Sequence, residues 1–255
     1  MKLWIHIRKL IYFFILYNLI PILSVTTCNS IEFYTDFNNS INYPINTLSV
    51  LVNNSNIDYF DQIRNVPKSS FVKKYEYSYC PRNMGCASSW NYHIKHHPQE
   101  NYWILCSDDV ILGQTELSQI DELMMSGCDA VFPDKPSKYI LFALNKNTIR
   151  NVGLFDENFH PGGFEDNDYE NRLSLCSELK IKNYKTECVH NKIVVGSGDN
   201  GNGTFSGFNE DQKSKWNECC SLNKKYFHSK WDKFDKPPHY WIFDIDERSK
   251  KELII

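Results

Sequence analysis

The sequence predicts an α/β fold, in which a mostly parallel central sheet is flanked by helices in a single domain behind an N-terminal apolar leader. Short apolar runs rich in β-branched residues, such as residues 48–52 (LSVLV), are typical of strands buried on both faces. Segments with apolar side chains at helical spacing follow these runs. This alternation favours parallel pairing, and 255 residues with 42% hydrophobic side chains suffice for one large domain.

The chain begins with the pattern of a secretory signal or an uncleaved signal-anchor. An apolar run covers residues 10–23, basic side chains precede it, and small polar residues follow it. The basic residues are Lys2, Arg8 and Lys9. A buried N-terminal core helix is the alternative, although the run lacks amphipathic spacing.

This pattern divides the chain into three parts. We expect residues 1–27 to form the leader, residues 28–46 a polar spacer, and residues 47–255 the folded domain. Because a basic flank stays in the cytosol, the domain is expected on the lumenal side of a membrane, anchored through residues 10–25, or secreted. Three sequons also fit a translocated chain. They begin at Asn38, Asn53 and Asn202.

Within the domain, each predicted element has its own signal. Apolar positions at helical spacing indicate helices at residues 56–65 and 85–97, and Gly127 closes a further helix at residues 113–125. A composition rich in Gly and Asn predicts a loop over residues 196–209. The predicted strands cover residues 48–52, 71–79, 102–106, 130–133 and 139–144.

Charge and cysteine content argue against two classes of protein. The net charge of -3, from 28 basic and 31 acidic side chains, gives no support for a nucleic-acid partner. Nine cysteines without regular spacing do not match a small disulfide scaffold. We expect buried thiols, and one or two disulfides are the alternative in a lumenal chain.

An acidic pair, Asp108 and Asp109, directly follows the strand of residues 102–106 (YWILC). Ligands of open α/β sheets bind beyond the carboxyl ends of the strands. Adjacent carboxylates repel each other unless a divalent cation or a hydrogen-bond network neutralises them. The pair therefore indicates a Mg²⁺ or Mn²⁺ site that holds a diphosphate. A helix N-cap that includes Ser107 is the equal alternative.

A second acidic cluster follows a double glycine. Gly162 and Gly163 predict a loop that can approach a ligand closely, and Asp166 opens a helix behind it. A carboxylate at a helix N-terminus accepts a proton at neutral pH only if its neighbours raise its basicity. The alternative is an acidic helix start with a salt bridge from Asp168 to Arg172.

Together these segments resemble glycosyltransferase family 2, whose members have the GT-A fold. Short motifs occur in the family's order between about residues 48 and 234. They are residues 82–91 (RNMGCASSWN, similar to N-x-G-x-a-x-x-x-N), 102–110 (YWILCSDDV, similar to y-i-l-x-n-D-D-v), 152–159 (VGLFDENF, similar to v-G-x-F-D-E-x-F), 164–172 (FEDNDYENR, similar to f-E-D-x-D-y-x-x-R), 189–190 (VH) and 226–231 (YFHSKW).

The resemblance implies an inverting glycosyltransferase that moves a sugar from a nucleotide-sugar donor to a hydroxyl group of a carbohydrate or glycoprotein. Asp109 matches the metal-binding position of the family's acidic motif, Asp108 stands beside it near the donor, and His190 is a further candidate ligand. Asp166 matches the general base, with Glu165 next to it. Mn²⁺ or Mg²⁺ on the donor diphosphate is the implied cofactor.

The same resemblance indicates nucleotide contacts at Asn83, Gly85 and Asn91. Ser107 departs from the family's pattern, because the fullest version of the metal motif has a carboxylate at this position. The alternative function is therefore a non-catalytic carbohydrate-binding protein on a degenerate GT-A scaffold.

Overall fold

A computed structural model describes residues 19–28, 30–134, 138–190, 193–194 and 210–232 of the chain. The strands are β1 (Ile20–Thr27), β2 (Ile45–Asn53), β3 (Val72–Cys80), β4 (Tyr102–Ser107), β5 (Val110–Ile111), β6 (Ala130–Pro133), β7 (Leu141–Asn145), β8 (Ile181–Tyr184), β9 (Val189–His190) and β10 (Ile193–Val194). The helices are α1 (Ile31–Ser40), α2 (Ile57–Asn65), α3 (Cys86–His96), α4 (Glu116–Met125), α5 (Lys146–Val152), α6 (Glu165–Ser174) and α7 (Glu210–Trp231), with a short 3-10 helix at Lys138–Ile140.

Within the described ranges, the central sheet has seven strands in the order β3-β2-β1-β4-β7-β6-β8. The first four of these are parallel, β7 runs antiparallel between β4 and β6, and β8 is parallel to β6. The chain adds β2 and β3 on one side of β1 and then returns to β4 on the other side. Such a reversal opens a crevice at the carboxyl ends of the strands. The predicted mostly parallel sheet is confirmed.

Helices cover both faces of the sheet, because alternate side chains of each strand point to opposite faces. Helices α1, α2 and α4 pack on the face that contains Leu23 and Val25. Helices α3, α5 and α6 pack on the face that contains Ile22 and Trp103. A small antiparallel sheet of β10, β9 and β5 lies beyond the end of β4 and pairs Val110 with His190.

Residues 20–27 of the predicted leader, which covered residues 1–27, form strand β1 instead. Val25 is fully buried and pairs with Val50 on one side and with Cys106 on the other, so this segment is the middle of the sheet. A strand buried on both faces is a continuous apolar run, and a leader has the same composition. The sequence pattern alone could not separate them, and residues 1–18 lie outside the described residues.

The predicted spacer of residues 28–46 is also corrected. It contains helix α1, whose Tyr34 and Phe37 are fully buried in the core, and the first residues of β2. The folded domain therefore includes residues 20–46 as well as the part predicted from residue 47 onwards. The predicted strands and helices between residues 48 and 144 agree with the structure to within a few residues. The predicted loop of residues 196–209 lies outside the described residues.

Three further expectations concern the predicted location of the domain on the lumenal side of a membrane or outside the cell. In the described part of the chain, no helix is long and apolar enough to cross a membrane, and the proposed attachment through residues 10–25 overlaps strand β1. Asn38 and Asn53, which begin two sequons, are only 1% and 4% exposed, so a glycan does not fit there in the folded protein. Asn202 lies outside the described residues. The nine cysteines are all free thiols.

Candidate functional site

A pocket opens at the carboxyl ends of β1, β2 and β4, where the strand order reverses. Thr26, Asn53 and Asp108 line it from these strand ends. Cys86 at the start of α3 and Trp216 on α7 form its walls. The pocket therefore joins segments that are far apart in the sequence, at the place where ligands bind in α/β sheets.

The acidic pair at the end of β4 lines this pocket. The nearby hydroxyl group of Thr27 and the backbone N–H of Cys28 favour the charged form of Asp108 and lower its pKa. Desolvation and the neighbouring Asp109 raise the pKa of Asp108 to about 7. The pair does not cap a helix, since β5 follows it and the next helix has Thr115 as its N-cap. The N-cap alternative is therefore excluded.

The residues around Asp109 fit a divalent cation. Its Oδ1 atom is buried and accepts no hydrogen bond from the described residues. Strand β9 brings His190 Nε2 to 3.2 Å from this oxygen. Among the described residues, no group of three or more His, Cys, Asp or Glu side chains is arranged to hold a metal by itself. Mg²⁺ and Mn²⁺ need only one or two carboxylates when substrate phosphates and water complete the coordination, so Asp109 together with His190 suits such an ion.

Asn83 and Gly85, two of the predicted nucleotide contacts, line the pocket. Asn83 Oδ1 accepts a hydrogen bond of 2.8 Å from the backbone N–H of Gly85, which forms a tight turn before α3. Gly85 has a φ of +82°, and a Cβ atom there would lie 2.7 Å from the carbonyl oxygen of Pro161. Only glycine fits this turn, because a side chain would meet both a left-handed backbone and a close contact.

The second acidic cluster lies behind the wall residue Cys86. Glu165 lies near the thiol of Cys86, is 6% exposed, and its Oε2 atom has no hydrogen-bond partner among the described residues. Burial and the adjacent Asp166 raise the pKa of Glu165 to about 7. Burial also raises the pKa of Asp166, although this side chain stays partly exposed. Glu165 and Asp166 therefore do not line the pocket themselves, and Glu165 lies behind Cys86, which does.

Asn91 is the one predicted nucleotide contact that the structure places elsewhere. It does not line the pocket. Its Nδ2 atom donates to the carbonyl oxygen of Phe155 and to Glu157, and its Oδ1 atom accepts from the backbone N–H of Phe155. This buried amide joins α3 to the loop before α6. The prediction is corrected, because all of these hydrogen bonds are internal.

Asn53 lines the pocket without any motif to mark it. It is 4% exposed, its Nδ2 atom donates to the hydroxyl group of Ser89 at 2.9 Å, and its Oδ1 atom has no partner among the described residues. A buried acceptor without a partner costs free energy unless a ligand or water donates to it. The only sequence signal was its place at the end of an apolar strand.

The motif residues Asp168 and Arg172 form the predicted salt bridge, at 2.9 Å. The structure adds a partner that the sequence did not show. Lys230, near the end of α7, lies 2.6 Å from Asp168 and 2.8 Å from Asp156, and all three side chains are fully buried. Trp231 donates its indole N–H to Asp168. This cluster fixes α7 against the start of α6.

Comparison with known proteins supports the fold. The structure is similar to the mannosyltransferase PcManGT from Pyrobaculum calidifontis in complex with GDP-Man and Mn²⁺, with a TM-score of 0.57 and 14% identity over 87% of this chain. It is also similar to TarS from S. aureus, with a TM-score of 0.50 and 13% identity over 66% of this chain. The chain has a GT-A-like glycosyltransferase fold. It covers 66% and 35% of the lengths of these two proteins.

Sequence comparisons add nothing to this likeness. No family model matches the chain, and no curated protein matches it. At 13–14% identity, the similarity concerns the path of the backbone and not the chemistry of individual side chains.

Proposed function

We propose that the protein is an inverting glycosyltransferase, which moves a sugar from a nucleotide-sugar donor to a hydroxyl group of a carbohydrate or glycoprotein. The observation that carries this proposal is that the carboxylates after β4 line a pocket at the switch point of the sheet, and that Glu165 at the start of α6 lies behind Cys86 in the wall of this pocket. The presence of GDP-Man and Mn²⁺ in the similar mannosyltransferase supports the donor class and the metal.

The donor would lie over the strand ends. Asp109 and His190 would hold Mn²⁺ or Mg²⁺, and such an ion, when bound, offsets the negative charge that develops on a leaving diphosphate. Gly85 keeps the wall of the pocket free of a side chain, so the nucleotide can approach the backbone closely.

Asp166 would act as the general base. It accepts the proton of the acceptor hydroxyl while that oxygen forms a bond to the anomeric carbon, and the bond from this carbon to the diphosphate breaks on the opposite face. Burial raises the pKa of Asp166, which makes it a stronger base than an exposed aspartate, and its partial exposure keeps it within reach of a substrate. Glu165, which is fully packed behind Cys86, would support it.

The acceptor would lie beside Trp216. A Cβ atom on Gly162 would lie 3.1 Å from Trp216 Cη2 and 3.6 Å from Glu165 Oε1, so the indole ring and the acidic pair flank one point of the loop. An indole offers a large flat apolar surface with one polar N–H, which suits the apolar face of a sugar ring.

To test the proposal, the protein is incubated with Mn²⁺, a panel of nucleotide sugars and candidate acceptors, and the release of free nucleotide is measured. We expect Asp166→Asn to lower turnover by roughly 10²–10⁴-fold while nucleotide binding persists. Asp109→Ala should instead abolish the effect of Mn²⁺ on nucleotide binding, measured by calorimetry. Asp61→Asn, which removes an exposed carboxylate on α2, is the matched control and should change neither quantity.

The outcomes separate the proposal from its alternative. Release with at least one donor that depends on Asp166 supports glycosyl transfer. Glycan binding without nucleotide release from any donor would instead identify a non-catalytic carbohydrate-binding protein.

A further inference from the structure

Strand β3 forms a long outer edge of the central sheet. It lies at one end of the strand order and, within the described ranges, no strand pairs with its outer side. It runs for nine residues, from Val72 to Cys80, in continuous register with β2 and contains no proline. The strand at the opposite edge, β8, has only four residues. A long straight edge such as that of β3 is a template for pairing with another strand.

The hydrogen bonds to β2 show which backbone groups of β3 point outward. The N–H of Ile45 donates to the carbonyl oxygen of Phe71 at 2.9 Å, so the backbone of Phe71 faces β2. Successive residues of a strand turn their N–H and C=O groups to opposite sides, so the following odd-numbered residues also face β2. The backbone groups of Lys74, Glu76 and Ser78 therefore point to the outer edge.

Two of these outward positions carry opposite charges. Lys74 and Glu76 form an ion pair along the strand, and their side chains are 65% and 34% exposed. Lysine on an edge strand usually discourages pairing, because its charge meets a second strand without a partner. Here the lysine and the glutamate are two residues apart, so a strand of the same sequence that runs in the opposite direction can match both charges.

One antiparallel register of β3 with a second copy satisfies the backbone and the charges together. When Tyr75 lies opposite Tyr75 of the second copy, Lys74 lies opposite Glu76 and Glu76 lies opposite Lys74. Because these residues face outward, each such pair exchanges both backbone hydrogen bonds. A slip of two residues would place Lys74 opposite Lys74 or Glu76 opposite Glu76, and like charges directly opposite each other are destabilising. The charges therefore select this register.

The centre of this register has aromatic side chains. The hydroxyl group of Tyr75 donates to Asn38 Oδ1 at 2.7 Å, and the ring stacks on Tyr77 with 5.9 Å between the centroids. Both tyrosines stay partly exposed. In an antiparallel sheet, side chains approach most closely where residues face each other without hydrogen bonds, and aromatic pairs there are stabilising. The fixed ring of Tyr75 thus offers a contact to its own copy.

We propose that the outer edge of β3 pairs antiparallel with the same edge of a second copy of this chain, which gives a two-fold symmetric dimer with Lys74 and Glu76 paired across the axis. Such a contact is self-complementary, as a two-fold interface requires. The strands of the two copies run in opposite directions, so the two pockets open at opposite sides of the joined sheet and both stay accessible. The inference is independent of the proposed function.

Sedimentation velocity of the full chain tests the dimer. The measured mass should rise from 30.0 kDa towards twice this value between about 1 and 200 μM protein. Lys74→Glu and Glu76→Lys each place like charges across the axis, and each should weaken dimerisation by at least about tenfold. Lys73→Glu is the matched control. It makes the same charge change on the other face of the strand, opposite Tyr77 of the second copy, and should leave dimerisation nearly unchanged.

Combining the two variants distinguishes this register from any other interface. In an equimolar mixture, the Lys74→Glu chain has two glutamates at the paired positions and the Glu76→Lys chain has two lysines. The unlike chains should therefore form a mixed dimer, although neither variant dimerises well by itself. The double variant exchanges the two charges within one chain and should dimerise again. Single variants that stay dimeric, or a mixture that stays monomeric, would overturn the inference.

Amide hydrogen exchange gives a readout in the unmodified protein. The outward N–H groups of Lys74 and Glu76 should become protected as the protein concentration rises, whereas the inward N–H of Tyr75 should be protected at every concentration. A chain that is monomeric at the highest concentration, or outward N–H groups whose exchange does not depend on concentration, would refute the dimer. Sugar transfer is measured separately, and its absence would refute the proposed function alone.

Discussion

Gly85 shows at the scale of one residue how closely the pocket wall is built. Its positive φ excludes most side chains, and the Pro161 carbonyl oxygen occupies the place that a Cβ atom would need. Gly127 has a similar φ, of +90°, but no atom lies within 4 Å of a Cβ placed there. Comparing alanine substitutions at the two glycines therefore distinguishes the cost of backbone strain from the added cost of a steric clash.

We predict that Gly85→Ala lowers the free energy of unfolding by more than Gly127→Ala does. The left-handed backbone alone costs about 1–2 kcal/mol for an alanine, and the clash at Gly85 adds to it. Urea unfolding measures both values, and only Gly85→Ala should also weaken nucleotide binding. Equal losses of stability in the two variants would contradict the contact with Pro161.

Glu165 predicts a pH-dependent stability. Its pKa is raised from 4.5 to about 7, so the folded protein holds this proton more tightly than the unfolded chain does. The stability that this carboxyl group contributes is complete below pH 4.5 and is lost as the pH rises towards 7, by on the order of 3 kcal/mol. Glu165→Gln cannot ionise and should therefore be more stable than the unmodified protein at pH 8.

The measurement is urea unfolding at pH 5 and pH 8. The increase in the free energy of unfolding caused by Glu165→Gln should be small at pH 5 and larger at pH 8. The matched control is Glu170→Gln, which removes a partly exposed carboxyl group from the same helix and should show no such increase. A gain that is the same at both pH values would show that Glu165 is ionised in the folded protein throughout.

At the scale of one element, α7 depends on its last turn for its position. Lys230 reaches Asp156 and Asp168 in the core, and Tyr226 also donates to Asp156, at 2.9 Å. The same helix contributes Trp216 to the pocket. A buried ion cluster at one end of the helix thus holds the wall of the pocket at the other end.

We predict that Lys230→Met lowers the free energy of unfolding by about 3–5 kcal/mol, because it removes the cation beside the buried Asp156 and leaves Asp168 with Arg172 alone. Chemical denaturation measures this loss. Lys225→Met, an exposed position on the same helix, is the control and should cost little. A small effect at Lys230 would mean that α7 does not depend on this cluster.

At the scale of the whole molecule, the decisive element is β1. It pairs with β2 on one side and with β4 on the other, and its apolar side chains contribute to the cores on both faces. Without it the sheet would be divided at the point where the pocket forms.

We predict that a chain starting at residue 28 shows no cooperative unfolding, whereas a chain starting at residue 19 does. The shorter chain loses the central strand and its buried surface. Circular dichroism during heating compares the two. A cooperative transition in the shorter chain would restore the view that residues 1–27 lie outside the fold.

Local patterns predicted most elements and the acidic clusters but not their partners. Asp108 and Asp109 were recognisable because carboxylates after an apolar strand are unusual and chemically specific. Asn53 was not, because a polar residue in a strand has many ordinary roles. Its significance depends on Ser89, which is close only after folding.

The sequence by itself determined the α/β class, the order of most elements and the positions of the two acidic clusters, because hydrophobic periodicity and residue type are local properties. Only the tertiary structure decided that residues 20–27 form the central strand, that Asn91 supports a loop, and that Asp108 and Asp109 share a pocket with Asn53 and Trp216. The reason is physical: strand pairing, burial and hydrogen-bond direction depend on which distant segments meet in space.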